Sequence, residues 1–258
     1  MKVGFLGAGL YGEALGHLAE INEHEVEYYD PYRFPERKIG EVISEAEVVV
    51  YVAPAEAYRE ILPELSYETP LILASKGFVS LKPFEKFRKF SALGGATFAE
   101  DIMEEKAGLK LAASSELSEQ LFTTDFLTVE YTRDTKGVVL CGALKNVYAI
   151  GAGLMGAEDY LMKASSEMAE ILTANGAEPT TIRLSCGVAD LILSSTPEGR
   201  NFRFGEELKH FPESRVEPVG TVEGLTVVKS LEDFPDFVVP EGAKLFKEIV
   251  ERVKNGIK

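Results

Sequence analysis

The sequence predicts an α/β protein in two parts. Residues 1–135 should form a doubly wound, mostly parallel sheet, and residues 136–258 a mainly helical domain. Three observations carry this. The first half alternates short apolar runs with amphipathic stretches, the pattern of right-handed βαβ units. Runs such as Val48-Val49-Val50-Tyr51-Val52 are apolar without interruption, as strands covered on both faces are. From Asp134–Gly137 to about Ser195 the periodicity is helical and no strand is evident.

Taken in order, Val3 to Leu6 reads as a strand, Leu10 to Ile21 as an amphipathic helix, and Val26 to Tyr29 and Val48 to Val52 as strands. Further strands are expected at Leu71 to Ala74, Leu109 to Ala113 and Leu127 to Tyr131. Gly137 to Ala157 is long enough to span a bilayer. Lys145 near its middle would cost about 2.5–3.5 kcal/mol on insertion, however, and Asn146 lies beside it, so a helix buried in protein is expected. Its small residues from Gly142 onward suit either a core or the contact of a homodimer. Phe211 to Val239 is rich in Pro, Glu and Asp, with one strand expected at Leu225 to Val228. Leu245, Phe246, Ile249, Val250 and Val253 then make one stripe on a final helix.

Composition narrows the function classes. A chain that is 45% hydrophobic and 27% charged can bury a core, and a net charge of −15 opposes binding to nucleic acid or anionic lipid. Glu13 interrupts the apolar run after Met1-Lys2 and no cleavage site follows, so no signal peptide is expected. The two cysteines, Cys141 and Cys186, have neither disulfide-scaffold nor metal-ligand spacing, which suits a cytoplasmic protein with no metal.

Gly7-Ala8-Gly9-Leu10-Tyr11-Gly12 follows a strand and opens a helix, as a Rossmann-like dinucleotide turn does. Its glycines permit the tight turn and the approach of a pyrophosphate to the helix N-terminus. Asp30 ends the next strand, where a carboxylate accepts the ribose hydroxyls of NAD. The alternative is a turn residue before Pro31, and Arg33 nearby could instead meet the 2′-phosphate of NADP. NAD is the expected cofactor, with NADP as the alternative.

In the second half, Lys145 has Cys141, Gly142, Tyr148 and Ala149 as helical neighbours and no carboxylate within reach. It is either a lysine extending from a buried helix to solvent or a desolvated proton donor and acceptor. Asp190 is equally isolated in the helix-like run Cys186 to Ser194, sharing a face with Gly187 and Ser194. It needs a cation, for which Lys145 is a candidate, unless it serves as a helix cap or a purely structural partner. Arg200, in the loop after Pro197, offers a fork for a phosphate or is a surface residue.

Together these segments resemble the NAD(P)-dependent glycerol-3-phosphate dehydrogenase family. The resemblance runs in order through the glycine turn, Ala53-Pro54, Ser75-Lys76-Gly77, Gly95 to Glu100, Asp134 with Gly137, Gly142-Ala143-Leu144-Lys145-Asn146-Val147, Ala189-Asp190-Leu191, Arg200-Asn201 with Phe204-Gly205, and Glu223-Gly224. It implies reversible reduction of dihydroxyacetone phosphate to sn-glycerol 3-phosphate. Lys145 would be the acid/base, Lys76 a second lysine at the substrate, and Asp190 their organiser. Gly95, Thr97, Asn146, Ser194, Arg200 and Asn201 would hold substrate. Gly7, Gly9, Leu10, Tyr11, Gly12, Asp30, Ala53, Ala99, Arg200 and Glu223 would approach the cofactor. The chain departs from the family in reading Gly95-Ala96-Thr97-Phe98-Ala99 for the usual Gly-Pro-Ser-Phe-Ala, Tyr11 for a common Trp and Ser194 for a Thr. It is shortened between Asp30 and Val48 and in its C-terminal domain. Two other readings stand beside this one. The chain could be a related reductase of another small ketone or imine, or a noncatalytic dinucleotide sensor, against which the joint presence of Lys76, Lys145 and Asp190 argues.

Overall fold

The computed structural model describes residues 1–156, 160–210 and 220–256. The chain divides into two compact units, residues 1–75 with 81–135 and residues 76–80 with 136–258. The start of the Pro- and acid-rich tail, 211–219, lies outside the described residues.

The first unit is built on a seven-stranded sheet in the order β2-β1-β3-β4-β5-β6-β7. The strands are β1 Lys2–Leu6, β2 Glu25–Tyr29, β3 Val48–Tyr51, β4 Leu71–Leu73, β5 Phe90–Gly94, β6 Leu109–Ala113 and β7 Leu127–Tyr131. Helices α1 Leu10–Ile21, α2 Ile39–Ile43, α3 Tyr58–Ile61, α4 Ala99–Met103 and α5 Glu116–Phe122 connect them. Neighbouring strands are parallel except β5 and β6, which run antiparallel through Leu93↔Ala113. Phe5, Leu15, Val50, Ile72, Leu111 and Phe122 meet in one fully buried core, so the apolar runs are apolar because both sheet faces are covered. β5 is absent from the sequence-based expectation because Phe-Ser-Ala-Leu-Gly has no β-branched residue to mark it. Strand order reverses around β1, whose end and that of β3 form the switch point where such sheets bind ligands.

The second unit contains α6 Thr135–Met155, α7 Tyr160–Ala174, α8 Asp190–Ser194, α9 Arg200–His210, α10 Glu223–Ser230 and α11 Lys244–Gly256. α6 is long and apolar enough to cross a membrane, yet every residue from Gly137 to Gly153 is buried within the protein. Glycines bring the other helices onto it. A Cβ at Gly205 would lie 2.0 Å from the Ile150 carbonyl oxygen, and one at Gly153 2.1 Å from that of Phe202, so the α6 and α9 backbones touch. The strand expected at Leu225 to Val228 is instead part of α10. A Cβ at Gly224 would lie 2.6 Å from the Asn146 carbonyl oxygen, and Leu225 and Val228, three residues apart, are buried together. Packing on α6 overrides the strand preference of the two valines.

α11 is docked by a side chain from α7. Glu167 accepts the first-turn amides of Leu245 and Phe246 at 2.9 and 3.0 Å and the Tyr148 hydroxyl at 3.0 Å. Glu167→Ala removes a helix cap and leaves a mostly buried phenol without this partner. It is expected to cost about 2–4 kcal/mol, seen as a lower urea midpoint at unchanged slope. A midpoint equal to that of the unaltered protein would show that α11 docks by apolar packing alone.

Candidate active site

The glycine turn of the first unit has the geometry a dinucleotide requires. Gly7 has φ +114°, and a Cβ there would lie 2.7 Å from the Ala53 backbone nitrogen, so only glycine fits between the ends of β1 and β3. A Cβ at Gly12 would meet the Gly7 carbonyl oxygen at 2.3 Å, whereas Gly9 faces open space. Gly9 is also the N-cap of α1 and offers no side-chain cap, which leaves the start of the helix exposed to an anion. Leu10 beside it is exposed. These features fit the pyrophosphate of a dinucleotide.

Asp30 does what the turn reading expected, and more. One carboxylate oxygen accepts the Ala8 amide at 2.9 Å, and the other accepts those of Tyr32 and Arg33 at 2.9 and 3.2 Å. The carboxylate thereby ties the end of β2 to the glycine turn. Arg33 is committed to the same turn, donating to the Ala8 carbonyl at 2.6 Å and pairing with Glu13. Further along the sheet, a Cβ at Gly95 would lie 2.6 Å from the Lys110 carbonyl oxygen, so close packing on β6 accounts for that glycine. Thr97 is buried, and its hydroxyl has no hydrogen-bond partner among the described residues. Ala99 opens α4.

In the second unit two lysines share one carboxylate. Lys145 Nζ lies 3.0 Å from Asp190 Oδ1, and Lys76 Nζ lies 3.0 Å from Asp190 Oδ2. Lys145 also donates to Ser194 Oγ at 2.6 Å, and that hydroxyl stands 3.3 Å from Asp190 Oδ1. Lys145 is 5% exposed, so it does not extend to solvent. Burial pulls its ammonium down to about 8; Asp190 opposes the shift and Lys76 adds to it. For Asp190, burial acts to raise the carboxyl, but the attraction and hydrogen bonds of both lysines hold it below its ordinary value.

Backbone irregularity places this carboxylate. The run from Cys186 to Ser194 is not one helix: it is kinked at Gly187, whose φ −97° and ψ −114° are not helical. A Cβ at Gly187 would lie 2.0 Å from the Ile182 carbonyl oxygen, and α8 begins afresh at Asp190.

The remaining expected residues form a connected chain. Asn146 donates to the Gly142 carbonyl at 3.1 Å and accepts from Asn201 at 3.0 Å, while Asn201 accepts the Gly224 amide at 2.9 Å. Arg200, half exposed, pairs with Glu223 at 2.8 Å. One assignment was not legible in the sequence. Lys76–Ser80 lies between segments of the first unit yet packs within the second, and no local composition marks it.

Comparison with known proteins bears on both halves. A family profile described as NAD-dependent glycerol-3-phosphate dehydrogenase C-terminus matches residues 134–256. Glycerol-3-phosphate dehydrogenase (NAD(P)+) of Oceanobacillus iheyensis is 29% identical over 289 residues, covering 90% of this chain and 84% of that protein. Glycerol-3-phosphate dehydrogenase (NAD(P)+) 1 of Lactobacillus delbrueckii subsp. bulgaricus is 26% identical over 317 residues, covering 98% and 94%. The glycerol-3-phosphate dehydrogenase structure from Plasmodium falciparum shares the fold, with a TM-score of 0.82 at 17% identity over 99% of this chain and 92% of that one. The profile over the second half and relatives spanning both halves agree, and the chain is similar along most of its length to NAD(P)-dependent glycerol-3-phosphate dehydrogenases.

Proposed function

We propose that the protein interconverts dihydroxyacetone phosphate and sn-glycerol 3-phosphate with NAD(P)H, and that Lys145 exchanges the proton on the substrate oxygen. The observation that carries this is the buried Lys145–Asp190–Lys76 cluster, in which one lysine is held near 8 and a second cation stands on the same carboxylate. When bound, the cofactor supplies or takes up the hydride. Gly7, Gly9 and Gly12 would admit its pyrophosphate to α1, and Asp30 would lie toward the ribose. Arg33 is engaged with Ala8 and Glu13, which favours NAD over NADP.

Lys145 donates to the carbonyl oxygen as negative charge develops there, and Lys76 stabilises that charge. Asp190 keeps the two ammonium groups close despite their repulsion. Arg200 leaves Glu223, or shares it, to meet the phosphate. Asn146 and Asn201 act from within their own hydrogen-bonded chain. A noncatalytic sensor has no need of two lysines on one buried carboxylate, and a reductase of an unphosphorylated ketone has no need of Arg200. Since α6 is used for the core, a homodimer would form through another surface.

NADH oxidation with dihydroxyacetone phosphate, compared with unphosphorylated dihydroxyacetone, tests the substrate. The pH profile tests the lysine. Reduction needs Lys145 protonated and is expected to fall as pH rises through about 8, whereas oxidation of glycerol 3-phosphate needs it neutral and should rise through the same range. Turnover of both ketones at equal rates would remove the phosphate from the proposal, and profiles without opposed limbs would remove Lys145.

A further inference from the structure

We infer that Ser80 and Asp236 are a positioning pair for Lys76, anchoring the far end of the short segment that presents this lysine to Asp190. The inference rests on Lys76 acting at the site as proposed above. The chain on either side of residues 76–80 belongs to the first unit, so the lysine reaches the second unit on a five-residue strap that must be held there by its own contacts. At the near end, Lys76 Nζ meets Asp190 Oδ2 at 3.0 Å and the stem passes over Gly142, where a Cβ would lie 3.6 Å from Lys76 Cγ. Gly77 turns the strap with φ +119°, a conformation open to glycine and strained for other residues. Phe78 and Val79 are buried at 2% and 3% exposure. At the far end, buried Ser80 donates its hydroxyl to Asp236 Oδ2 at 3.1 Å.

Asp236 is exposed, in the loop after α10. What it supplies is a fixed acceptor. Only three residues separate Ser80 from Lys76, and displacement at one end of so short a strap reaches the other. A shift of about 1 Å in a substrate-positioning group is enough to cost rate. The charged groups acting on Lys145 are Asp190, Lys76 and Glu223, with the Ser194 hydroxyl beside them, and only Lys76 rides on the strap. Loosening the strap therefore weakens the repulsion that helps hold Lys145 low.

Ser80→Ala and Asp236→Ala are each expected to raise KM for dihydroxyacetone phosphate by about two- to tenfold, the range of one hydrogen bond. Each should also move the basic limb of the reduction profile to higher pH. The double variant should do no more than either single one, and Asp236→Asn, which keeps an acceptor oxygen, should restore KM. A role in stability alone would lower the unfolding temperature and leave KM and the limb in place. If Lys76→Met raises KM while Ser80→Ala and Asp236→Ala leave KM and the limb unchanged, or if the two act additively, the positioning pair is overturned and the site stands. If Lys76→Met itself leaves KM unchanged, the reading of the site fails first.

Discussion

Lys145→Met is expected to reduce turnover of dihydroxyacetone phosphate by about 10²- to 10⁴-fold, the usual contribution of a positioned general acid, or roughly 2.7–5.4 kcal/mol of transition-state stabilisation. The substitution keeps length and apolar volume within α6 while removing the transferable proton. The fold should survive, because Asp190 keeps Lys76 at 3.0 Å and the Ser194 hydroxyl at 3.3 Å and is not left as an unpaired buried charge. NADH binding should be little changed, since the glycine turn belongs to the other unit. Single-turnover oxidation of NADH at saturating ketone isolates the step, with thermal unfolding as the control. A folded Lys145→Met protein that reduces the ketone near the original rate would end the proposed mechanism.

How this site was legible in the sequence depends on the range of the interaction. β1, α1 and β2 could be read directly, because strand period, helix period and the glycines between them are all local signals, and α1 spans Leu10–Ile21 as the pattern implies. Lys145 and Asp190 could be singled out as charges without local partners. Their pairing joins positions 45 residues apart, and the third member joins Lys76 to Asp190 across 114. Nothing local encodes that second contact. It depends on a strap changing units, and on Gly187 breaking a run whose apolar pattern reads as continuous helix. α10 is hidden for the opposite reason: Val227 and Val228 signal strand locally, and Gly224 against the α6 backbone shows why helix wins. Ser80 and Asp236 carry no signal at all, being ordinary polar residues of two loops until the fold brings them within 3.1 Å.

Asp190→Asn is expected to damage stability as well as rate. The amide is close in shape, but two ammonium groups would then share a buried site without an anion, and removing one partner of a buried pair typically costs about 3–5 kcal/mol. The loss should fall toward the lower end, because Lys145, already near 8, can give up its proton and no longer need a partner. This gives the effect a direction in pH. Asp190 normally holds Lys145 up, so its removal moves the lysine further below 8, and ketone reduction near neutral pH slows because less of the acid form is present. The stability gap between the unaltered protein and the variant should narrow as pH rises toward 8 and hold steady above it, where Lys145 is neutral in both. At the acid end the sign reverses. The carboxyl of Asp190 is lowered in the folded state, so its contribution is fully present above the ordinary carboxylate value of 3.8 and is lost as pH falls below it, a loss the variant cannot show. Urea unfolding of both proteins at pH 6.5 and 9 measures the first effect, and acid unfolding the second. Equal stability at pH 6.5 would mean that Asp190 does not hold the two lysines in the folded protein.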